Sequence, residues 1–350
     1  METAVFDLKT QYTPALEKAA ELICAGKLVA FPTETVYGLG ADAFCVPAVK
    51  SIFEAKGRPS DNPLIVHISN MSQVELLARE ITPNAQKMMQ AFWPGPFTVI
   101  LKKRPEVPSA VTGGLDTVAV RMPSSAFIRD LIDKSGRLIA APSANLSGLP
   151  SPTAFEHVFA DLNGRIPMIA DGGPCSVGVE STVCDALGEV PVILRPGGIT
   201  KEMIERVCGT VRVHEAVLGE LKEREHPASP GMKYKHYAPK ADVLVVCGEK
   251  NRVAQTINLR YDKNNGKAVI LCMDAFAPLY GKREKILLGR GEEDVARNLF
   301  AALRTCDARG IEKVFFHGVD IKGEGLAVMN RIIRAAGHQI CIVSQGGKID

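Results

Sequence analysis

Between residues 1 and 212, short apolar runs alternate with stretches in which apolar residues recur at helical spacing. The apolar runs predict buried strands at 27–31, 64–68, 97–101, 117–121, 138–141, 168–170, 181–185 and 192–194. The helical stretches predict amphipathic helices, for example where Val46, Val49, Ile52 and Phe53 recur. Because several strands follow one another directly, we expect a twisted mixed sheet with helices packed on it.

Local signals refine this pattern at turns and helix starts. Pro32 stops the first strand, and a polar turn and a flexible Gly38-Leu39-Gly40 segment are expected after it. Thr82 and Thr200 are expected N-caps of helices. Thr153 with Glu156 is expected to form a capping box.

The pattern changes after residue 212. Residues 213–240 are charged and then rich in proline and glycine, as is typical of an interdomain linker. Beyond them, apolar strands at 241–247, 267–272 and 314–316 alternate with helical stretches, which predicts a small parallel sheet. We therefore predict an α/β protein with a mixed-sheet catalytic domain at 1–212, a linker at 213–240 and a Rossmann-like domain at 241–350. The last part contains neither GxGxxG nor GxxxxGK[ST], so its shape alone implies no dinucleotide site.

Composition limits the function classes. The 350 residues carry a net charge of +3, which disfavours a dedicated nucleic-acid coat. Nine cysteines without a CxxC pair are typical of reduced intracellular thiols. No apolar run approaches the length of a membrane span. We expect a cytoplasmic protein that does not contact a membrane.

Polar side chains that follow the predicted strands suggest a pocket for a phosphate-bearing substrate. Four cations, Lys56, Arg58, Arg121 and Arg195, lie at strand or helix ends together with many hydroxyl and amide donors. The structural alternative is that Lys56 and Arg58 are solvated helix-end charges and His67 is a satisfied core histidine. No Ser/His/Asp set, HExxH motif or Cys/His cluster offers a rival site.

A series of ordered motifs carries a family resemblance. The motifs are FPTETVYGLG, KGRPSDNPL, WPGPFTVIL, VAVRMP, APSANLSG, STVCD, LRPGG and SPGMKYKHYAP. In this order they resemble the threonylcarbamoyl-AMP synthases of the YrdC-like group. The last motif and the domain after it resemble the long, two-domain form. The resemblance covers essentially the whole chain and is strongest at 28–195 and 229–239.

The resemblance implies a nucleotidyltransferase. Such an enzyme joins L-threonine, bicarbonate and ATP, with Mg²⁺ accompanying ATP, into L-threonylcarbamoyl-adenylate and releases pyrophosphate. A separate transferase complex would pass the threonylcarbamoyl group to the adenosine beside the anticodon of certain tRNAs. Whether this chain binds tRNA directly is left open by the motifs.

The resemblance also implies roles for particular residues. Lys56 and Arg58 would be catalytic and grip the ATP phosphates. The nucleotide site would comprise Arg58, Asn62, Thr117, Ser143, Ser151, Arg195 and Tyr234. The linker would close over the nucleotide as a lid that includes Tyr234. L-threonine would contact Thr35, His67, Arg121, Ala141 and Ser181, with Arg121 facing its carboxylate. No residue is assigned to a metal, and none is an evident general base.

Three alternatives stay open at this point. Ser143 and Ser181 are common turn residues, and Tyr234 could be an ordinary linker aromatic. The chain could be a double-stranded RNA or tRNA-binding module without catalysis, although its near-neutral charge and few aromatic residues count against this. Carbamoyl transfer, as in hydrogenase-maturation relatives of the fold, would require zinc-finger and acylphosphatase segments that the sequence lacks.

Overall fold

The computed structural model describes residues 2–219 and 237–343. The chain divides into two compact units, residues 1–147 with 151–233, and residues 148–150 with 234–350. The boundaries predicted above, at 212 and 240, stay a prediction. Residues 220–236 of the predicted linker, including Tyr234, lie outside the described residues.

The described part of the first unit contains one mixed sheet of twelve strands. The strands are β1 (Ala4–Asp7), β2 (Val29–Phe31), β3 (Gly38–Asp42), β4 (Ile65–His67), β5 (Ala78–Glu80), β6 (Phe97–Lys103), β7 (Thr117–Arg121), β8 (Ile139–Ala141), β9 (Met168–Asp171), β10 (Thr182–Asp185), β11 (Val192–Arg195) and β12 (Arg212–Val213). Their order is β1-β9-β2-β3-β8-β4-β7-β6-β10-β11-β12, with β5 paired to β6. Parallel pairs such as β4 with β7 and antiparallel pairs such as β6 with β7 occur side by side, which confirms the predicted mixed sheet.

Seven α-helices in the described part of this unit bury their apolar faces in the core beside the sheet. They are α1 (Tyr12–Cys24), α2 (Val46–Lys56), α3 (Pro83–Phe92), α4 (Ser109–Thr112), α5 (Ala126–Ser135), α6 (Phe155–Leu162) and α7 (Lys201–Cys208). Short 3₁₀ turns cover Met71–Leu76 and Glu215–Val217. The apolar faces inferred from helical spacing therefore point to the core.

Two of the predicted helix caps are confirmed and one is wrong. The Thr82 hydroxyl accepts from the N–H of Ala85, and that of Thr200 accepts from the N–H of Met203. Helix α6, however, begins with Ala154 as its N-cap, and no side chain caps it. Thr153 instead donates its backbone N–H to Nδ1 of His157 at 3.2 Å. Helix α6 therefore begins one residue later than the capping box predicts.

Strand β3 differs most from its prediction. The Gly38-Leu39-Gly40 segment, expected to be flexible, is a fully buried strand between β2 and β8. A Cβ atom at Gly40 would lie 2.5 Å from Cε1 of Phe31 and 2.6 Å from Cγ2 of Ile139. Glycine is needed here because the Phe31 ring lies directly over the backbone of β3.

The second unit is a parallel sheet with helices, as predicted. Its elements are β13 (Asp242–Gly248), α8 (Lys250–Asp262), β14 (Ala268–Cys272), a 3₁₀ turn (Asp274–Tyr280), β15 (Lys285–Leu287), α9 (Glu292–Ala308), β16 (Lys313–His317), α10 (Gly325–Ala335) and β17 (Ile340–Val343). The strand order is β15-β14-β16-β13-β17, and every pair is parallel. Both halves of the predicted fold class are thus confirmed. Among the described helices of either unit, none combines the length and apolar character that a membrane crossing requires.

We predict that Gly40→Ala destabilises the first unit by about 1–3 kcal/mol, because the added methyl group overpacks a full core. Trp93 is the single tryptophan of the chain and is buried in the core of the first unit, so its fluorescence during urea unfolding reports on that unit. Gly188→Ala is the matched control, since its nearest neighbour would be the Val190 carbonyl oxygen at 3.8 Å. Equal unfolding midpoints for the two variants would contradict the packing argument.

Candidate active site

Neighbouring strands place three polar side chains in a row across the middle of the first sheet. His67 at the end of β4 pairs directly with Arg121 at the end of β7, and Thr98 of β6 is opposite Arg121 on the other side. Residues paired in this way point to the same face of a sheet. All three are buried. The sheet therefore presents an imidazole, a guanidinium and a hydroxyl on one face.

Arg121 is the centre of this group. Its Nη1 donates to Oγ1 of Thr35 at 3.0 Å, and its Nη2 donates to Oε1 of Glu34 at 2.7 Å. Its Nε donates to the carbonyl oxygen of Gly95 at 3.3 Å. The residue is only 4% exposed, so this is a buried ion pair with directed hydrogen bonds.

Burial and this ion pair together set the protonation states of His67 and Glu34. Burial, and then the positive charge of Arg121, lowers the pKa of His67 from 6.5 to about 3, so the imidazole is neutral near pH 7. Burial raises the pKa of Glu34, but the charge and hydrogen bond of Arg121 outweigh it, and the net pKa is lowered. The Nδ1 atom of His67 is buried without a hydrogen-bond partner among the described residues. The site thus holds one cation, one anion and a neutral imidazole.

Ser181 joins this group to a second buried arginine. Its hydroxyl is 2.7 Å from Oγ1 of Thr98, and Nη2 of Arg195 donates to it at 3.1 Å. Nε of Arg195 also donates to the Ser181 carbonyl oxygen at 3.1 Å. Ala141 lies on β8, where it pairs with Ile65 of β4. Four of the residues predicted for L-threonine, Thr35, His67, Arg121 and Ser181, are therefore connected across β4, β7 and β6. Ala141 lies two residues further along the neighbouring strand β8, and Arg195 of the predicted nucleotide set adjoins Ser181.

The surroundings of Lys56 rule out the structural alternative that this residue is a solvated helix-end charge. As a solvated helix-end charge it would lie in water, but it is the last residue of α2 and only 3% exposed. Its Nζ donates to the carbonyl oxygens of Ser143 and Asn145, both at 2.5 Å, and to Oδ1 of Asn145 at 3.4 Å. The loop after β8 reaches the helix end and replaces the water that an ammonium group otherwise requires. Gly57 ends the helix in the left-handed conformation, as its position predicts.

The remaining predicted nucleotide residues are spread more widely. Arg58 is half-buried and donates from Nη2 to the Pro63 carbonyl oxygen at 3.3 Å. Asn62 is buried, and its Oδ1 has no hydrogen-bond partner among the described residues. Thr117 begins β7 and is about 13 Å along that strand from Arg121. Thr117 therefore lies apart from the Arg121 group, and no hydrogen bond named here joins Arg58 or Asn62 to that group.

Three residues of the site were not predicted, and each has a signal in the sequence. Glu34 stands inside the quoted FPTETVYGLG motif, and Thr98 is a polar residue within the apolar run of β6. Glu180 accepts a hydrogen bond from the Ser151 hydroxyl through Oε1 and is buried. A polar residue inside an apolar or tightly turned segment is the signal that they share.

No protein-held metal centre is evident in the described ranges. Within 2–219 and 237–343, no group of three or more His, Cys, Asp or Glu side chains converges. The candidate site is instead built from cations, hydroxyl groups and amides, which suits anionic ligands.

Comparison with known proteins agrees with this chemistry. A family model described as "Telomere recombination" matches residues 21–197, and one described as "Threonylcarbamoyl-AMP synthase, C-terminal domain" matches residues 199–337. Threonylcarbamoyl-AMP synthase of Pyrococcus abyssi is 52% identical over 92% of this chain and 94% of that protein. The Bacillus subtilis protein of the same name is 47% identical over 93% of this chain and 94% of its own length. The crystal structure of Pyrococcus abyssi Sua5 complexed with L-threonine has a TM-score of 0.91 and 47% identity, and the match covers 98% of this chain and 100% of that one.

These matches, which span both units, define the class of protein as a two-domain enzyme with a YrdC-like first half. Within that class, the chain belongs to the family of threonylcarbamoyl-AMP synthases. The predicted resemblance and the nucleotidyltransferase class are thereby confirmed, and the RNA-binding alternative is not favoured.

The surroundings of Lys56 lead to a first prediction for this site. Lys56→Ala should destabilise the first unit by about 2–4 kcal/mol, because it removes a buried ammonium group that donates to the carbonyl oxygens of Ser143 and Asn145. Arg58→Ala should change stability by less than about 1 kcal/mol, since Arg58 is half-buried at the helix exit. Urea unfolding followed by Trp93 fluorescence compares them, and equal losses would contradict the bridging role of Lys56.

The low pKa of His67 leads to a second prediction. Between about pH 3 and 6.5 the unfolded chain binds a proton at this residue that the folded protein does not bind. The free energy of unfolding of the first unit should therefore rise with pH across this window and fall on acidification. His67→Gln should reduce that slope in Trp93-detected urea unfolding measured from pH 4.5 to 7.5. An unchanged slope would show that the folded protein protonates His67.

Proposed function

We propose that the first unit forms L-threonylcarbamoyl-adenylate and pyrophosphate from L-threonine, bicarbonate and ATP. The observation that carries this proposal is the buried Arg121, held among Thr35, His67 and Ser181. It gains support from a similar structure described as a complex with L-threonine. The predicted roles of the remaining site residues are part of the same proposal.

The threonine end is built around unused donors of Arg121. A guanidinium carries five N–H groups, and Glu34, Thr35 and the Gly95 carbonyl take three of them. Two N–H groups are left for a substrate carboxylate among the described contacts. His67 remains neutral beside them and can accept a hydrogen bond at Nδ1. These groups would orient the carboxylate, the amine and the hydroxyl group of threonine.

The nucleotide end adjoins it through Arg195 and Ser181. We place the α-phosphate near Arg195, with Arg58, Asn62, Thr117, Ser143, Ser151 and Tyr234 contacting the rest of ATP as the resemblance implies. Tyr234 lies outside the described residues, so its lid role stays a prediction. For Lys56 we propose an indirect role. Its ammonium group has three donors, which are directed at oxygens of Ser143 and Asn145, so that it positions this loop.

The reaction would proceed in two steps. The neutral amine of threonine attacks the carbon of bicarbonate or carbon dioxide, and the new N–C bond gives a carbamate. Water leaves when bicarbonate reacts, and the nitrogen releases one proton when carbon dioxide reacts. A carbamate oxygen then attacks the α-phosphorus of ATP, and the bond to pyrophosphate breaks. Negative charge gathers on the phosphoryl oxygens, where Arg195 and Arg58 would stabilise it. Fixed positions of both reactants would supply much of the rate.

Mg²⁺ enters this proposal with ATP. The described residues form no acidic cluster for it, and Mg²⁺ commonly retains phosphate oxygens and water as ligands. We therefore treat it as part of the nucleotide substrate. The product would pass to a separate transferase complex that modifies tRNA. All nine cysteines are free thiols, which supports a reducing compartment such as the cytoplasm.

The proposal predicts that pyrophosphate release needs all three substrates and no tRNA. Release should fall to background when L-threonine, bicarbonate or ATP is omitted in turn, because the proposed nucleophile is the carbamate, which forms only when threonine and bicarbonate are both present. Arg195→Ala, which removes the buried cation beside Ser181, should lower the rate at least tenfold. Coupled-enzyme detection of pyrophosphate measures each rate. Undiminished release without threonine would refute the proposed reaction.

A further inference from the structure

The carboxylate of Glu34 is only half used by its neighbours. Its side chain is 9% exposed, and Oε1 accepts from Arg121. Its Oε2 is buried and makes no hydrogen bond of normal geometry among the described residues, although the backbone N–H groups of Glu34 itself and of Ser124 help to lower the pKa of this carboxyl. A buried, ionised oxygen without a well-placed donor is costly, so such an atom next to the Arg121 ion pair points to a donor on the ligand.

Charge balance identifies the kind of donor. Arg121 and Glu34 together are neutral, and they are joined by a 2.7 Å ion pair. A ligand carboxylate on the two remaining N–H groups of Arg121 would bring a second anion next to Glu34, which is unfavourable in a buried site. An α-amino acid carries a cation one bond away from its carboxyl-bearing carbon. Its ammonium group can therefore offset the second anion and supply the missing donor.

We propose that Oε2 of Glu34 accepts a hydrogen bond from the α-amino group of L-threonine. Glu34 would thereby select amino acids over hydroxy acids that lack an amino group. This rests on the proposed placement of threonine against Arg121. For reaction the ammonium group transfers one proton to bicarbonate, which yields carbon dioxide and water. The neutral amine then forms the N–C bond and loses a second proton, and the carbamate nitrogen keeps one N–H, which still donates to Oε2. Glu34 thus holds the reacting nitrogen both before and after its bond to carbon forms, while Thr35, the next residue, holds the guanidinium in place.

A pair of ligands separates this role from a merely structural one. L-Threonine and 3-hydroxybutanoate share the carboxylate and the hydroxyl group, but only threonine has the amine. Calorimetric titration of the full chain measures both ligands with wild type and with Glu34→Gln. We expect Glu34→Gln to weaken threonine about 10–100-fold, as for loss of a charge-assisted hydrogen bond. Binding of 3-hydroxybutanoate should stay unchanged or become tighter, since a nearby negative charge is removed.

If Glu34 served only to orient Arg121, both ligands would weaken by the same factor, and that result would overturn the proposal. Glu34→Asp keeps the negative charge and should weaken threonine binding less than Glu34→Gln does. If the Glu34→Gln variant unfolds, Glu34→Asp is used in its place for the comparison of the two ligands. Glu106→Gln, at an exposed position, is the matched control and should leave both affinities unchanged.

A further variant distinguishes failure of this inference from failure of the proposed function. Arg121→Lys should weaken both ligands, because both would place a carboxylate on the guanidinium. If Arg121→Lys left both affinities unchanged, the proposed placement of threonine would itself be wrong. If it weakened both while Glu34→Gln weakened both equally, only the role of Glu34 would fail.

Discussion

The buried guanidinium of Arg121 is the constraint on which the site depends. A lone charge in the middle of a sheet would cost several kcal/mol, so the surrounding chain must supply oxygen atoms to it. Glu34 and Thr35 supply them from the turn after β2, and Gly95 supplies a carbonyl from the segment before β6. Segments far apart in sequence are therefore held at one point. A pocket built around a fixed charge of this kind is ordered before any ligand arrives.

Lys56 repeats the same principle at another place. Its ammonium group draws the carbonyl oxygens of Ser143 and Asn145 towards the end of α2. Both buried cations thus organise loops, and neither is a surface charge that salt would screen. Since each cation is satisfied mainly by oxygen atoms of a neighbouring loop, stability and substrate binding share the same contacts. Substitutions at these positions will tend to affect both properties.

Apolar runs predicted the central strands well, because a strand that is buried on both faces requires apolar residues at consecutive positions. The strand at Thr117–Arg121 is predicted residue for residue. Short strands such as Ala78–Glu80 carry no such run and were not predicted. The burial of Lys56 depends on carbonyl oxygens that are 87 and 89 residues away in the sequence. A local sequence pattern cannot predict contacts over that separation. The sequence predicted a flexible segment at Gly40 for the same reason. The Phe31 ring, whose position requires glycine there, belongs to another strand.

The direct pairing of His67 with Arg121 has a consequence in evolutionary terms. Side chains alternate between the two faces of a strand, so one inserted or deleted residue in β4 or β7 would turn one partner away from the other. Descendants of this gene can exchange side chains within these strands, but they cannot change the strand lengths and keep the site. We expect insertions and deletions to occur mainly in surface loops, where the backbone can rearrange. The spacing of these residues is therefore under the same constraint as the identity of Arg121 itself.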